Sequence, residues 1–196
     1  MTLELKVVGL LARDIEKRFT INEIAGALGQ HYSFVHRVVN RLSEDGVIIK
    51  TKAGKAYLCS MDIKNEKTRA LIQLNEIEKR EKADMDKVLK LVLDDFVKSL
   101  EPVNKNIVSI ILFGSYAKGT ATEESDIDVL LISKGKLDIE KITKQIYAKY
   151  GKEISPVIMS PGEFKRQKND VLIREIVAEH YVLYGIENFV NMVFEK

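Results

Sequence analysis

One cysteine, Cys59, in 196 residues leaves nothing from which to build an intramolecular disulfide framework or a multi-cysteine zinc site. The expected home is therefore reducing and intracellular, read as cytoplasmic. No apolar run approaches the roughly 20 residues that cross a bilayer, so no membrane partner is expected. The stretch Met1–Lys17 has acids within its apolar pattern and no small-residue cleavage site, which argues against a signal peptide. A surplus of one charge sign is also lacking: 31 Lys and Arg face 29 Asp and Glu, for a net charge of +2. That balance excludes a uniformly basic nucleic-acid coat and leaves room only for a local basic face. Proline is scarce, with 3 residues, and glycine numbers 11, while 45% of the chain is apolar. Such a composition folds into one large domain or two small ones, each with a core of its own.

The chain changes texture twice. Residues 1–61 read as short helices followed by β-branched residues and turns. Residues 62–84 are highly charged and helical in period. Residues 85–196 begin with a helix rich in apolar positions and go on to alternate strand-like and helical runs, the pattern of an α+β domain. In the middle segment Leu71, Leu74 and Ile77 make a narrow stripe that suits a linker helix or a homodimer seam.

In the first segment, Leu3, Val7, Leu10, Leu11 and Ile15 recur at helical spacing. Thr20 stands three residues before Glu23 as a capping box for a second helix, which Gly29 ends. Ser33 is the expected cap of a third helix with Val35, Val38, Val39 and Leu42 inward, stopped by Gly46. Val47–Lys50 and Ala56–Cys59 then flank a glycine turn, which reads as a hairpin. This order resembles the winged helix-turn-helix family, most closely in Thr20–Ala25, Val35–Leu42 and Gly46–Ile48. The resemblance implies DNA as a partner, with the third helix in a major groove and the hairpin as wing. Between Gln30 and Lys55 five basic residues outnumber two acids. Tyr32, Ser33, His36, Arg37 and Asn40 are the expected base-edge contacts, and Arg41, Lys50, Lys52 and Lys55 the phosphate contacts. His31 and His36 without a third ligand make a weak zinc signal and read as surface histidines.

The chemistry is concentrated between Ile107 and Ile132. A buried apolar run ends in Phe113-Gly114-Ser115, a polar loop follows, and a second apolar run opens with Asp126-Ile127-Asp128. Side chains two apart on a strand share a face, so Asp126 and Asp128 project together while Ile127, Val129 and Leu131 point into the opposite layer. Adjacent carboxylates repel unless a cation lies between them, and hard divalent metals favour such oxygens. Gly114 permits close approach of backbone to phosphate, Ser115 donates from hydroxyl and amide, and Lys118 adds a positive charge.

The Gly114-Ser115-Tyr116-Ala117-Lys118-Gly119 and Ser125-Asp126-Ile127-Asp128 wording resembles the nucleotidyltransferase superfamily related to DNA polymerase β, and within it the minimal nucleotidyltransferases. The resemblance covers roughly Met85 to Ile186. It implies a mixed β-sheet flanked by helices and a Mg²⁺ or Mn²⁺ site on Asp126 and Asp128. It implies a nucleoside triphosphate held by Gly114, Ser115, Lys118 and Ser125, and transfer of a nucleoside monophosphate to a hydroxyl acceptor, a protein among the candidates. Family members bring a third carboxylate from a neighbouring strand, where this sequence has Ser155 and Pro156. Glu153 and Glu163 are nearby acids that could substitute, though both read more simply as surface residues. Activity is one expectation. The others are a DNA-binding regulator with a degenerate, nucleotide-sensing transferase domain, and an antitoxin-like partner of a HEPN-type toxin. The tail Val171–Gly185 is expected to be one helix stopped by Gly185.

Overall fold

The computed structural model describes residues 1–194, and of residues 102–104 only the backbone. The last two residues of the expected domain 85–196 thus lie outside the described residues. Contacts divide the chain into two compact units, Met1–Lys79 and Arg80–Lys196.

In the first unit, α1 (Leu3–Ala12) is capped by Thr2, whose hydroxyl accepts from the Leu5 amide. A short strand β1 (Phe19–Thr20) runs into α2 (Ile21–Leu28). The capping box forms as expected: the Thr20 amide donates to Glu23 Oε2 at 2.7 Å and the Glu23 amide donates to Thr20 Oγ1 at 3.2 Å. Gly29 closes α2 in the left-handed conformation at φ +59°. The third helix, α3 (Tyr32–Glu44), starts differently from the sequence expectation. His31 is its cap, with Nδ1 accepting from the Ser33 amide, and Ser33 already lies inside the helix. A ring nitrogen two positions earlier does the work expected of the hydroxyl.

β2 (Ile48–Ala53) and β3 (Ala56–Met61) form the hairpin, and the sheet order is β1-β3-β2, all antiparallel. The helix α4 (Glu66–Glu81) follows. Its buried positions are Thr68, Ile72, Asn75 and Glu76, while Leu74 of the expected apolar stripe is exposed. A polar side chain explains the shift of face. Asn75 Nδ2 donates to the Leu5 carbonyl at 2.8 Å, and Gly9 makes room for it, since a Cβ at Gly9 would lie 2.6 Å from that nitrogen. Within segment 62–84, expected as a linker helix, α4 is thus held to α1 through Asn75.

The second unit opens with α5 (Lys87–Ser99), capped by Asp86. Then come β4 (Ile107–Leu112), the single-turn α6 (Gly114–Lys118), β5 (Ile127–Ser133), α7 (Glu140–Tyr150) and β6 (Ile154–Met159). α8 (Pro161–Arg166), α9 (Val171–Ala178), β7 (Tyr181–Tyr184) and α10 (Ile186–Phe194) complete it. The sheet order is β6-β5-β4-β7. β5 and β6 run parallel through the α7 crossover, and the other pairs are antiparallel. This is the expected mixed sheet with flanking helices.

Strand periodicity sorts the core. Ile110, Leu112, Ile127, Val129 and Leu131 pack on Leu89, Val92, Leu93 and Phe96 of α5 and Ile146 of α7. Ile111, Leu130 and Ile132 alternate with them and are equally buried. Asp126 and Asp128 share the parity of Leu130, at the start of β5, just where that second face emerges from the core.

The tail corrects the sequence expectation. Its helix ends at Ala178, and Tyr181–Tyr184 forms an edge strand on β4 instead of continuing the helix. Tyr-Val-Leu-Tyr is aromatic and β-branched, and the open edge of β4 satisfies its backbone. Gly185 does end an element, but a strand: at φ +71° it turns the chain into α10, and a Cβ there would lie 2.1 Å from the Val108 carbonyl. Among the described residues, no helix is long and apolar enough to cross a membrane.

Candidate active site

β4 delivers Phe113 to the edge of the core, and its amide donates to the Asp128 carbonyl at 3.0 Å. Gly114 follows at φ +70°, a conformation that costs other residues roughly 1–2 kcal/mol. The close neighbour is decisive: a Cβ on Gly114 would lie 2.0 Å from Asp128 Oδ2. The first residue of the glycine-serine turn and the second aspartate of the Asp-x-Asp strand are thus in contact, though fourteen positions separate them in sequence.

Asp128 is partly buried, and its carboxyl is pushed above the usual range, chiefly by that burial and secondarily by the charge of Asp126. A cation between the two would relieve both causes, so the donor set fits a hard divalent ion. Ser115 follows Gly114 as the second residue of α6, and its carbonyl accepts from the Thr120 amide at 3.0 Å, closing the turn after the helix. Lys118 lies at the other end of α6, where Nζ pairs with Glu175 of α9 at 3.3 Å. Ser125 is turned into its own loop, its Oγ accepting from the Thr122 amide at 2.9 Å. Gly114, Asp126 and Asp128 are therefore brought together, while Lys118 and Ser125 are engaged with neighbours.

Two residues that sequence reasoning passed over support this loop. Lys152 donates to the Glu123 carbonyl at 2.8 Å and lies 6.0 Å from the centre of the Tyr116 ring, tying the start of β6 to the segment before Asp126. Glu175 holds Lys118. Neither stands in a motif, so only the fold reveals them.

With this geometry in place, three comparisons bear on identity. The family model of the nucleotidyltransferase domain matches residues 92–184. A protein of Methanocaldococcus jannaschii named as a candidate protein adenylyltransferase, MJ1305, is 34% identical over 120 residues, which is 57% of this chain and 82% of that one. The chain belongs to the nucleotidyltransferase family. A second Methanocaldococcus jannaschii nucleotidyltransferase relative, MJ0604, named in the same way, is 39% identical over 95 residues, 47% of this chain and 94% of its own. A solved toxin-antitoxin structure with AMP-PNP overlaps 52% of this chain and 79% of that chain at a TM-score of 0.41 and 22% identity.

The third acid that the resemblance to nucleotidyltransferases implies is expected at Ser155 and Pro156 of β6. β6 pairs in parallel with β5, and Asp128 stands opposite Ser155. Neither nearby acid fills the gap. Glu163 Oε2 accepts from both the Ser160 amide and hydroxyl at 2.7 Å, capping α8, and these bonds hold its carboxyl below the usual range. Glu153 lends its backbone carbonyl to the Ile127 amide. No group of three or more His, Cys, Asp or Glu side chains that could hold a metal occurs among the described residues.

The nucleic-acid candidates lie on the first unit. Tyr32 stacks on His36, with ring centres 5.6 Å apart, and the Asn40 amide lies 3.3 Å from His36 Nδ1. Lys50 Nζ of β2 donates to Asn40 Oδ1 at 2.7 Å and sits 5.7 Å from the Tyr57 ring of β3. These contacts join helix and hairpin in one continuous strip. Ser33 contacts His31, and Arg37 lies over the exposed Phe34 ring at 5.1 Å. Arg41 is ion-paired with Glu4, whereas Lys52 and Lys55 are exposed on the hairpin.

Proposed function

We propose that this protein is a divalent-metal-dependent nucleotidyltransferase that moves a nucleoside monophosphate from a nucleoside triphosphate to a hydroxyl acceptor. The contact between Gly114 and Asp128 carries the reading. It joins the glycine-serine turn to a pair of carboxylates, one of them raised in pKa. The names of the two relatives favour adenylyl as the group and a protein hydroxyl as the acceptor.

Asp126 and Asp128 would hold the metal, which when bound neutralises charge on the phosphates. Gly114 leaves space for the Asp128 carboxylate against the turn, and the Ser115 amide and hydroxyl would donate to triphosphate oxygens. The first unit has the element order of a winged helix, and its strip from Tyr32 to Tyr57 suits contact with duplex DNA. We read it as the module that localises or regulates transfer, in a cytoplasmic protein.

A second reading has a specific observation behind it. Ser155 in place of an acid opposite Asp128 favours a DNA-binding regulator whose second unit senses a nucleotide without transferring it. One experiment separates them: purified protein with each labelled nucleoside triphosphate and Mg²⁺ or Mn²⁺, alone and with cell extract, beside the Asp126→Asn, Asp128→Asn double variant. Covalent label that disappears in the double variant is the expected result. Binding without transfer would overturn the enzyme reading in favour of the sensor, and equal labelling by both proteins would overturn the site.

A further inference from the structure

Asn40 and Lys50 meet across the first unit, one on α3 and the other on β2. The Lys50 ammonium can only donate, so the Asn40 side-chain atom 2.7 Å from it is the amide oxygen. The amide nitrogen is thereby turned to His36, 3.3 Å from Nδ1 and 3.5 Å from Nε2. His36 is in turn stacked on Tyr32, and Lys50 has the Tyr57 ring at 5.7 Å. An amide free to turn would present an acceptor and a donor together. This one is held at both ends, among side chains that are half-buried at Asn40, His36 and Lys50.

The composition around the pair gives that hold a chemical meaning. Within residues 32–43 of α3 and residues 48–61 of the hairpin, Asn40 is the one residue whose side chain carries a carbonyl or carboxylate oxygen. Hydroxyls can donate or accept and so choose no base. The exocyclic amines of adenine and cytosine need an acceptor at the major-groove edge, whereas guanine offers two acceptors side by side, O6 and N7. With Asn40 Oδ1 taken, the strip is left with donors: the remaining N–H groups of Lys50 and Asn40 and the exposed guanidinium of Arg37.

We infer that Lys50, by holding Asn40 Oδ1, makes this strip a donor surface that selects guanine at the major-groove edge of duplex DNA. The inference rests on the reading of the first unit as a duplex-binding module. Lys50, expected at a phosphate, is then a specificity-determining residue. It denies Asn40 the paired donor and acceptor with which a free amide reads adenine. Charge suits the same ligand: five basic residues face two acids between Gln30 and Lys55, and one of those acids, Asp45, is already paired with Lys67 at 2.8 Å.

The test selects duplexes with a randomised centre on the full chain at low salt and sequences the bound fraction. Wild type should enrich guanine at one position or more. The preferred duplex is then rebuilt with 7-deazaguanine, which lacks N7, or with inosine, which keeps N7 and O6 and lacks only the minor-groove amine. Fluorescence anisotropy should show binding about tenfold weaker with 7-deazaguanine and unchanged with inosine. Lys50→Ala frees the Asn40 oxygen, so its selection should move from guanine towards adenine at the same position. Enrichment of adenine or cytosine by wild type overturns the inference, as does equal affinity for the guanine and 7-deazaguanine duplexes. A folded Lys50→Ala that keeps the guanine preference overturns it too. Should Lys50→Ala not fold, the base analogues on wild type decide by themselves. If duplexes bind with a steep salt dependence but no base preference, the inference alone falls. If no duplex binds at low salt, the reading of the first unit falls with it.

Discussion

Gly114→Ala tests the contact on which the site is built. Two separable penalties follow from the structure. The backbone at φ +70° costs an alanine roughly 1–2 kcal/mol. The methyl would also lie 2.0 Å from Asp128 Oδ2, 2.8 Å from Cγ and 3.0 Å from Cβ, so the carboxylate must retreat by more than 1 Å to reach ordinary contact. Asp128 cannot move as a whole, because its backbone is paired with β6 on one side and accepts from Phe113 on the other. The side chain has to rotate away from the position it shares with Asp126. A displacement of about 1 Å at a reacting centre costs on the order of 10²-fold in rate. Gly119→Ala supplies the control. Its φ is nearly the same, at +69°, but a Cβ there meets nothing within 4 Å, so it carries the backbone penalty alone. Both variants should lose roughly 1–2 kcal/mol in urea unfolding, with Gly114→Ala the lower of the two. Label transfer should fall about 10²-fold in Gly114→Ala and stay near wild type in Gly119→Ala. Equal activity in the two variants would refute the reasoning, since the steric contact is all that separates them.

Gly185→Ala should be among the most damaging single changes in the second unit, because its methyl would meet the rigid Val108 carbonyl at 2.1 Å. A loss of about 2 kcal/mol or more by chemical denaturation is expected, and unchanged stability would contradict the placement of the β7–α10 turn. In cation-free buffer, the raised carboxyl of Asp128 means that the folded state holds its proton more firmly than the unfolded state. Its share of stability is therefore present at low pH and declines as pH rises through the interval between the ordinary carboxylate value and the raised one. Asp128→Asn should flatten that part of the stability profile, and a wild-type slope in the variant would exclude Asp128 as its source. On the first unit, Lys52→Ala should weaken duplex binding and lower the slope of log affinity against log salt by about 1. Arg41→Ala should change it less, because Arg41 is already paired with Glu4. Identical slopes for wild type and Lys52→Ala would remove Lys52 from the phosphate contacts.

Much of the site was legible because its determinants are local. Asp126 and Asp128 share a face by strand parity, and Gly114 is a glycine because its backbone and its neighbour leave no space for a side chain. The Thr20–Glu23 capping box was legible for the same reason, with both partners within one turn. What escaped depends on partners distant in sequence. The helix expected through Gly185 breaks after Ala178 because β4, some seventy residues earlier, offers Tyr181–Tyr184 an unpaired edge. Helix propensity in Val171–Gly185 carries no record of that edge. The buried face of α4 is likewise set by Asn75 reaching the Leu5 carbonyl, a choice that an apolar-stripe reading cannot make. Lys118 and Ser125 illustrate a different limit: the motif locates them near the site, but Glu175 and Thr122 already occupy their polar groups.

The edge strand explains how an open site is kept from becoming a sticky one. Glu153 directs its carbonyl at the Ile127 amide, so by alternation the backbone of residues 154, 156 and 158 faces away from β5. Pro156 falls in the middle of that outward row, where its missing N–H removes the central donor a foreign strand would need. The same proline fixes Ser155 beside Asp128 in extended backbone. One residue thus both orders the backbone beside Asp128 and denies this sheet edge to strand addition.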